Sequence, residues 1–306
     1  MANEEKKQNL TQPRNLDQAV DSFKKLLPQV PPREQLLHEG EKLKRYRKFT
    51  EPIIHVEDLR FGYTPNVEVL HGINLDIYKG QFVSIVGHNG SGKTTIVKHF
   101  NGLHQPLSGR VLIKGQDTKQ TTVAELSKSV GYCFQNPDHQ IFSSIVADEL
   151  AYGPRNLGWS KDNINRTVHE TAQLLGIEDL LDANPYNLSK GQRQQIAVAA
   201  ILCMKPDILI VDEPTTGQDP VQSRAMMDMM KLLNDEMGKT IVVITHDMGI
   251  AAEYSDRIVA MHMGCIIADG TPREVFAEEE VLRSSNLEAP QSHGYFSIAA
   301  FLPLCR

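Results

Sequence analysis

One nine-residue run constrains this chain more than any other. After the apolar QFVSIV comes Gly87-His88-Asn89-Gly90-Ser91-Gly92-Lys93-Thr94-Thr95, followed by the helix-compatible IVKHFNGL. This is G-x-x-x-x-G-K-[ST] in the order strand, loop, helix. The residue types follow from the chemistry. Gly87, Gly90 and Gly92 let the backbone curl with its N–H groups inward, at a helix N-terminus that favours anions. Lys93 can reach β- and γ-phosphates, and the Thr94 hydroxyl can ligate Mg²⁺. Asn89, Ser91 and Thr95 complete the predicted nucleotide-binding loop. An ordinary glycine-rich turn would not require Lys-Thr at this offset. The run predicts a nucleoside triphosphate site on an α/β fold.

A second element stands 119 residues after Lys93, where the apolar Ile208-Leu209-Ile210-Val211 ends in Asp212-Glu213-Pro214. A buried strand would deliver both acids to the carboxyl edge of a sheet, where ligands of such sheets gather. Asp212 suits the Mg²⁺ shell, and Glu213 suits a general base or orienter of attacking water. Short apolar strands around 208–213, 240–246, 257–262 and 265–270 alternate with helices near 190–204, 221–237 and 248–255. Fully apolar runs of this kind predict a mainly parallel core sheet covered by helices on both faces. The closely spaced earlier strands, from IIHVEDL to SVGYCF, predict an antiparallel β subdomain. Residues of about 137–190 read as a helical subdomain.

Charge is unevenly spread. Residues 1–50 hold 11 Lys/Arg against 7 Asp/Glu, and residues 51–306 hold 21 against 31. A mildly acidic body argues against a dedicated nucleic-acid binder, so no nucleic-acid partner is expected. Residues 1–50 read as a polar N-terminal extension, partly helical or mobile, and 271–306 as a short C-terminal segment with an atypical apolar tail. The four cysteines, Cys133, Cys203, Cys265 and Cys305, show no paired spacing and predict buried reduced thiols. No apolar run approaches the roughly 20 residues of a spanning helix, so the chain is expected in the cytoplasm. The methionines of AMMDMMKLLNDEM (225–237) fall at helical spacing behind Asp219-Pro220 and predict core packing.

The run Leu188-Ser189-Lys190-Gly191-Gln192 places Ser189 and Gln192 at capping-box spacing, so a helix should begin there. Together with the two preceding elements, this resembles the signature of ABC-type ATPases. The resemblance covers about residues 53–270 and implies a P-loop NTPase of ABC type within a domain spanning 51–270. In that family Ser189, Gly191, Gln192 and Asp219 would face the nucleotide of a partner subunit. Tyr63 in RFGYTPN resembles the aromatic that stacks on adenine, and Gln135 in CFQNPDHQIF the glutamine that senses Mg²⁺. His246 in VVITHD resembles the histidine that contacts the γ-phosphate. Two departures stand out: Lys190 where many members have Gly, and Gln218 where Leu is common. Lys190 is expected to bring positive charge near the partner's nucleotide.

The segment FQNPDHQIFSSIVADELAYGPRNLG (134–158), with LSKGQRQ and TTGQDP, is similar to energy-coupling-factor ATPases. That similarity implies a motor closing on two ATP, as a homodimer or with a paralogous ATPase. Its implied partners are a transmembrane coupling protein and a substrate-binding membrane subunit. Its place would be the cytoplasmic face of the membrane, and its cargo an imported vitamin or transition-metal ion. Two alternatives are an ATP-binding regulatory subunit with little hydrolysis and a soluble ABC ATPase acting on DNA or ribosomes. Leu188 follows Lys93 by only 95 positions and the stretch between them holds no heptad run, which argues against the DNA-repair type.

Overall fold

The computed structural model describes residues 49–64, 67–218 and 220–277. The expectations for residues 1–48, for Asp219, for Cys305 and for the tail lie outside these described residues.

Hydrophobic period sets the elements. The chain runs β1 (Pro52–Phe61), β2 (Leu70–Tyr78), β3 (Phe82–Val86), α1 (Lys93–Phe100), β4 (Ser108–Ile113), β5 (Gln116–Asp117), α2 (Val123–Leu126) and β6 (Val130–Cys133). It continues through α3 (Val146–Asn156), α4 (Lys161–Leu175), α5 (Lys190–Leu202), β7 (Ile208–Asp212), α6 (Pro220–Asp235), β8 (Thr240–Thr245), α7 (Met248–Tyr254), β9 (Arg257–His262), β10 (Cys265–Gly270) and α8 (Pro272–Ala277). Helix boundaries follow local chemistry. Ser160 caps α4 by accepting from Asn163 N–H, and Gly176 ends it in the left-handed region. Asp247 caps α7 through Ile250 N–H.

Two sheets form. One is antiparallel, in the order β2-β1-β4-β5; the other runs β10-β9-β3-β8-β7-β6. In the larger sheet β9, β3, β8, β7 and β6 are parallel, and only β10 is antiparallel to its neighbour. Every residue of β3, β7 and β8 is buried. Their side chains alternate between two cores, as the period of two requires. Leu209, Val211, Ile241 and Val243 join the helical face with α3 to α6. Ile208, Ile210, Val242 and Ile244 join α1 and the antiparallel sheet on the other face.

Met226, Met227 and Met230 are buried in the helical core as expected and Met229 packs against it, but Met237, beyond the end of α6, is exposed. One cysteine expectation is corrected. Cys133 and Cys203 are buried, but Cys265 is exposed, because it opens β10, the edge strand of the larger sheet. Parallel pairing of β3, β8, β7 and β6 has the consequence that matters most. It puts the carboxyl ends of these four strands, hence Gly87, His246, Asp212-Glu213 and Gln135, along one edge.

Candidate functional site

At that edge the loop after β3 wraps back on itself. Gly87 lies at φ 152°, and a Cβ there would sit 2.2 Å from the Met261 carbonyl oxygen and 2.7 Å from Ser91 Oγ. Only glycine permits this approach. The Ser91 hydroxyl is buried and finds no hydrogen-bond partner among the described residues. A buried hydroxyl in that state suits a polar ligand entering the loop. Lys93, the first residue of α1, is buried, and its Nζ donates to the carbonyls of Gly87 (2.8 Å) and His88 (3.0 Å). Burial pulls the Lys93 ammonium below the ordinary lysine range, while the nearby Glu213 and Asp212 carboxylates pull it back up. Asn89 and Gly90 form the exposed crest of the loop.

β7 delivers the two acids. The Thr94 hydroxyl donates to Asp212 Oδ2 at 3.0 Å, and the Tyr132 hydroxyl donates to the same oxygen at 3.0 Å. Burial raises the Asp212 carboxyl above its usual range, and these two donors oppose that shift. A hydroxyl and a buried carboxylate held together at the mouth of a phosphate loop form a hard oxygen donor set that fits Mg²⁺.

Glu213 begins the next turn at φ 50°, a left-handed conformation uncommon for a residue with a side chain. Its N–H donates to the Ile244 carbonyl at 2.9 Å, which pins the backbone to β8. Its carboxylate is buried, and Oε2 meets His246 Nδ1 at 2.7 Å and accepts from Thr216 Oγ1 at 3.1 Å. His246 is otherwise open, with its side chain 62% exposed. The imidazole therefore touches the acid on one side and faces solvent on the other.

Tyr63 is 60% exposed, yet its hydroxyl is hydrogen bonded to Thr95 Oγ1 at 3.0 Å. Its ring packs edge-on against Phe61 and His104. An open aromatic face tied to α1 can stack a flat base beside the loop. Gln135 is exposed two residues beyond β6 and stands outside the contacts of Asp212, which are Thr94 and Tyr132 among the described residues.

The predicted capping box is present. Ser189 Oγ accepts from Gln192 N–H at 3.3 Å, and Gln192 Oε1 accepts from Ser189 N–H at 3.0 Å. Ser189 and Lys190 are exposed, and Gly191 and Gln192 partly so. Lys190 makes a contact that the sequence did not reveal. Its ammonium turns to its own chain and donates to the Thr216 carbonyl at 2.9 Å, because Gly217 leaves space for it.

Sequence reasoning missed Tyr132 and Thr216. Tyr132 carried a usable signal, since a tyrosine inside an apolar strand must find a partner for its hydroxyl. Thr216 carried none beyond standing three residues after Glu213.

A phosphate loop, a buried acid paired with its threonine, and a second acid held by a histidine on the next strand define a P-loop nucleoside triphosphatase. The ABC transporter family profile matches residues 70–216. Across 241 residues the chain is 42% identical to the energy-coupling factor transporter ATP-binding protein EcfA of Methanocaldococcus jannaschii, covering 78% of this chain and 86% of that protein. It thus belongs to the ABC transporter ATPases. The structure of cbiO1 from Clostridium perfringens, described as part of the ABC transporter complex cbiONQ, superposes with a TM-score of 0.70. Identity there is 38%, over 79% of this chain and 97% of that one. A longer ABC transporter ATP-binding protein of Caldanaerobacter subterraneus is 43% identical over 281 residues, 91% of this chain. The chain spans about half the length of that relative, 49%.

Proposed function

We propose that the chain is the ATP-hydrolysing motor of an energy-coupling-factor importer, working as a pair of such chains closed on two ATP. One observation carries this reading. The loop edge holds buried and internally partnered groups, whereas the capped N-terminus of α5 offers Ser189, Gly191 and Gln192 outward. A second chain would supply the missing half of each site, Asp219 among the residues it contributes.

In this reading the loop backbone from Gly87 to Thr95, with Asn89, Ser91 and Lys93, binds the phosphates, and Tyr63 stacks on adenine. Thr94 and Asp212 would hold Mg²⁺, with Gln135 reaching it from β6. When bound, Mg²⁺ supplies positive charge that offsets the charge of the phosphates. Glu213 orients the attacking water and takes its proton at a carboxylate oxygen. His246 holds Glu213 through Nδ1 and leaves its open side for the γ-phosphate. Thr216 fixes the same carboxylate oxygen, so Glu213 has little rotational freedom.

The proposed partners are a transmembrane coupling protein and a small substrate-binding membrane subunit, importing a vitamin or transition-metal ion. No helix among the described residues is long and apolar enough to cross a membrane. Support for docking comes from Phe142 and Tyr152, two exposed rings 4.5 Å apart close to the Gln135 segment. The chain would sit on the cytoplasmic face of the membrane, with residues 51–270 as its ATPase domain.

The test is mass spectrometry of what co-purifies with the tagged chain from gently solubilised membranes, alongside ATP hydrolysis by the captured complex. A polytopic coupling subunit and hydrolysis abolished by Glu213→Gln are expected. Ribosomal or DNA-repair proteins without a membrane subunit would overturn the transport reading. A captured membrane complex with no hydrolysis would leave a regulatory ATP-binding subunit.

A further inference from the structure

Lys190 stands where its charge was expected near a neighbouring nucleotide, and within its own chain it already has a definite partner. Its Nζ donates to the Thr216 carbonyl at 2.9 Å. The contact depends on Gly217, at φ 74°, where a Cβ would lie 2.6 Å from that Nζ. At a second point Gly191 comes close to the exposed Gln222 side chain of α6, where a Cβ would lie 2.5 Å from Oε1. Thr216 then turns its hydroxyl the other way, to Glu213 Oε2 at 3.1 Å, the oxygen that also meets His246 Nδ1 at 2.7 Å. Lys190, Thr216, Glu213 and His246 thus form one continuous line. It begins at the surface offered to another chain and ends at the water-orienting acid of this chain's own site.

We propose that Lys190 is a positioning residue for Glu213. It ties the exposed N-terminus of α5 to the 215–218 turn, so that docking of this helix end on a partner's nucleotide sets the Glu213 carboxylate of its own site. A glycine at position 190 has no donor for the Thr216 carbonyl, and the turn then relaxes independently of α5. The tie is a hydrogen bond to a backbone carbonyl, so a neutral donor of sufficient reach can replace the ammonium in part. A phosphate-binding role would instead require the positive charge. The proposal rests on the two-chain reading above for its catalytic consequence, while the tie itself belongs to the single chain.

The full-length chain and its Lys190→Gly and Lys190→Gln variants separate these roles. Amide hydrogen exchange of the single chain over residues 214–218 should speed up several-fold in Lys190→Gly, with the 87–95 loop unchanged. Steady-state hydrolysis by Lys190→Gly should lose about 3- to 10-fold in kcat, the scale of one partly exposed charged hydrogen bond, with KM for ATP within about twofold of the parent. Lys190→Gln should recover most of the lost kcat. Unchanged exchange and kcat in Lys190→Gly would overturn the proposal. So would a Lys190→Gln variant as impaired as Lys190→Gly with KM raised, because that pattern marks a direct phosphate contact. Light scattering of Glu213→Gln with ATP reads the two-chain reading separately. Absence of a dimer there would sink that reading, and the exchange result would still decide whether the tie exists.

Discussion

The two ends of the candidate machinery are built on opposite plans. At the sheet edge Lys93, Asp212 and Glu213 are buried, and each has partners within the chain. At the start of α5 the residues of interest are exposed, and their own hydrogen bonds are already closed into the Ser189–Gln192 capping box. Burying charge is expensive unless it is paired, so the sheet edge needs a folded core around it. The α5 end needs only local geometry, and in the proposed pair its partner is the second chain. On that reading the first is a chemical half-site and the second a presented surface.

This contrast can be broken at either end. The largest effect is expected for Glu213→Gln, with kcat down by about 10²- to 10⁴-fold, the scale of a lost general base. ATP affinity should be retained, and an ATP-dependent dimer should accumulate in size-exclusion chromatography with light scattering. Unchanged turnover would remove Glu213 from the chemistry.

His99 probes the rigidity of the loop's support without touching the acids. It is fully buried in α1, Nδ1 is hydrogen bonded to the Thr95 carbonyl at 2.8 Å, and burial lowers its pKa to about 4. With the folded pKa below the unfolded 6.5, the unfolded chain binds more protons between these values. Stability should therefore hold above about pH 6.5 and fall as pH drops toward 4, by up to about 3 kcal/mol in all. Chemical denaturation at a series of pH values reads this, and His99→Gln should flatten the slope.

Lys93→Ala should weaken ATP binding by about 1.5–3 kcal/mol, roughly ten- to a hundredfold, in a fluorescent-nucleotide titration. Normal affinity would refute the loop assignment. The smallest effect belongs to the exposed end. Ser189→Ala should cost about 1 kcal/mol of stability through the lost cap, seen as a small fall in Tm. Single-chain ATP affinity should not change, and an altered affinity would contradict the separation of the two ends.

Legibility in the sequence followed the range of the interactions. The loop from Gly87 to Thr95, the acids at the end of β7 and the α5 capping box were readable, because each depends on residue types at short fixed spacing. β9 matched the expected strand at both ends, and the buried runs gave β7 and β8 to within a residue. Cys265 was misjudged, since an apolar stretch does not reveal whether its strand lies at a sheet edge. The intrachain contact of Lys190 was invisible for a related reason. Its direction depends on Gly217, 27 positions away, which the turn after Glu213 brings alongside. Tyr132 and Asp212 are 80 positions apart and meet only because β6 and β7 are neighbours in the sheet.

By itself the sequence determined the chemistry of each part: the phosphate loop, the paired acids, the histidine after an apolar strand and a helix opening on Ser189. Those properties arise from side-chain type, backbone freedom and hydrophobic period over a few residues. Only the tertiary structure decided which parts meet. The strand order β3-β8-β7-β6 brings Lys93, His246, Glu213 and Gln135 to one edge, and the turn after β7 offers the Thr216 carbonyl to the exposed Lys190. Strand order and turn geometry are set by the packing of whole elements, and no local spacing encodes them.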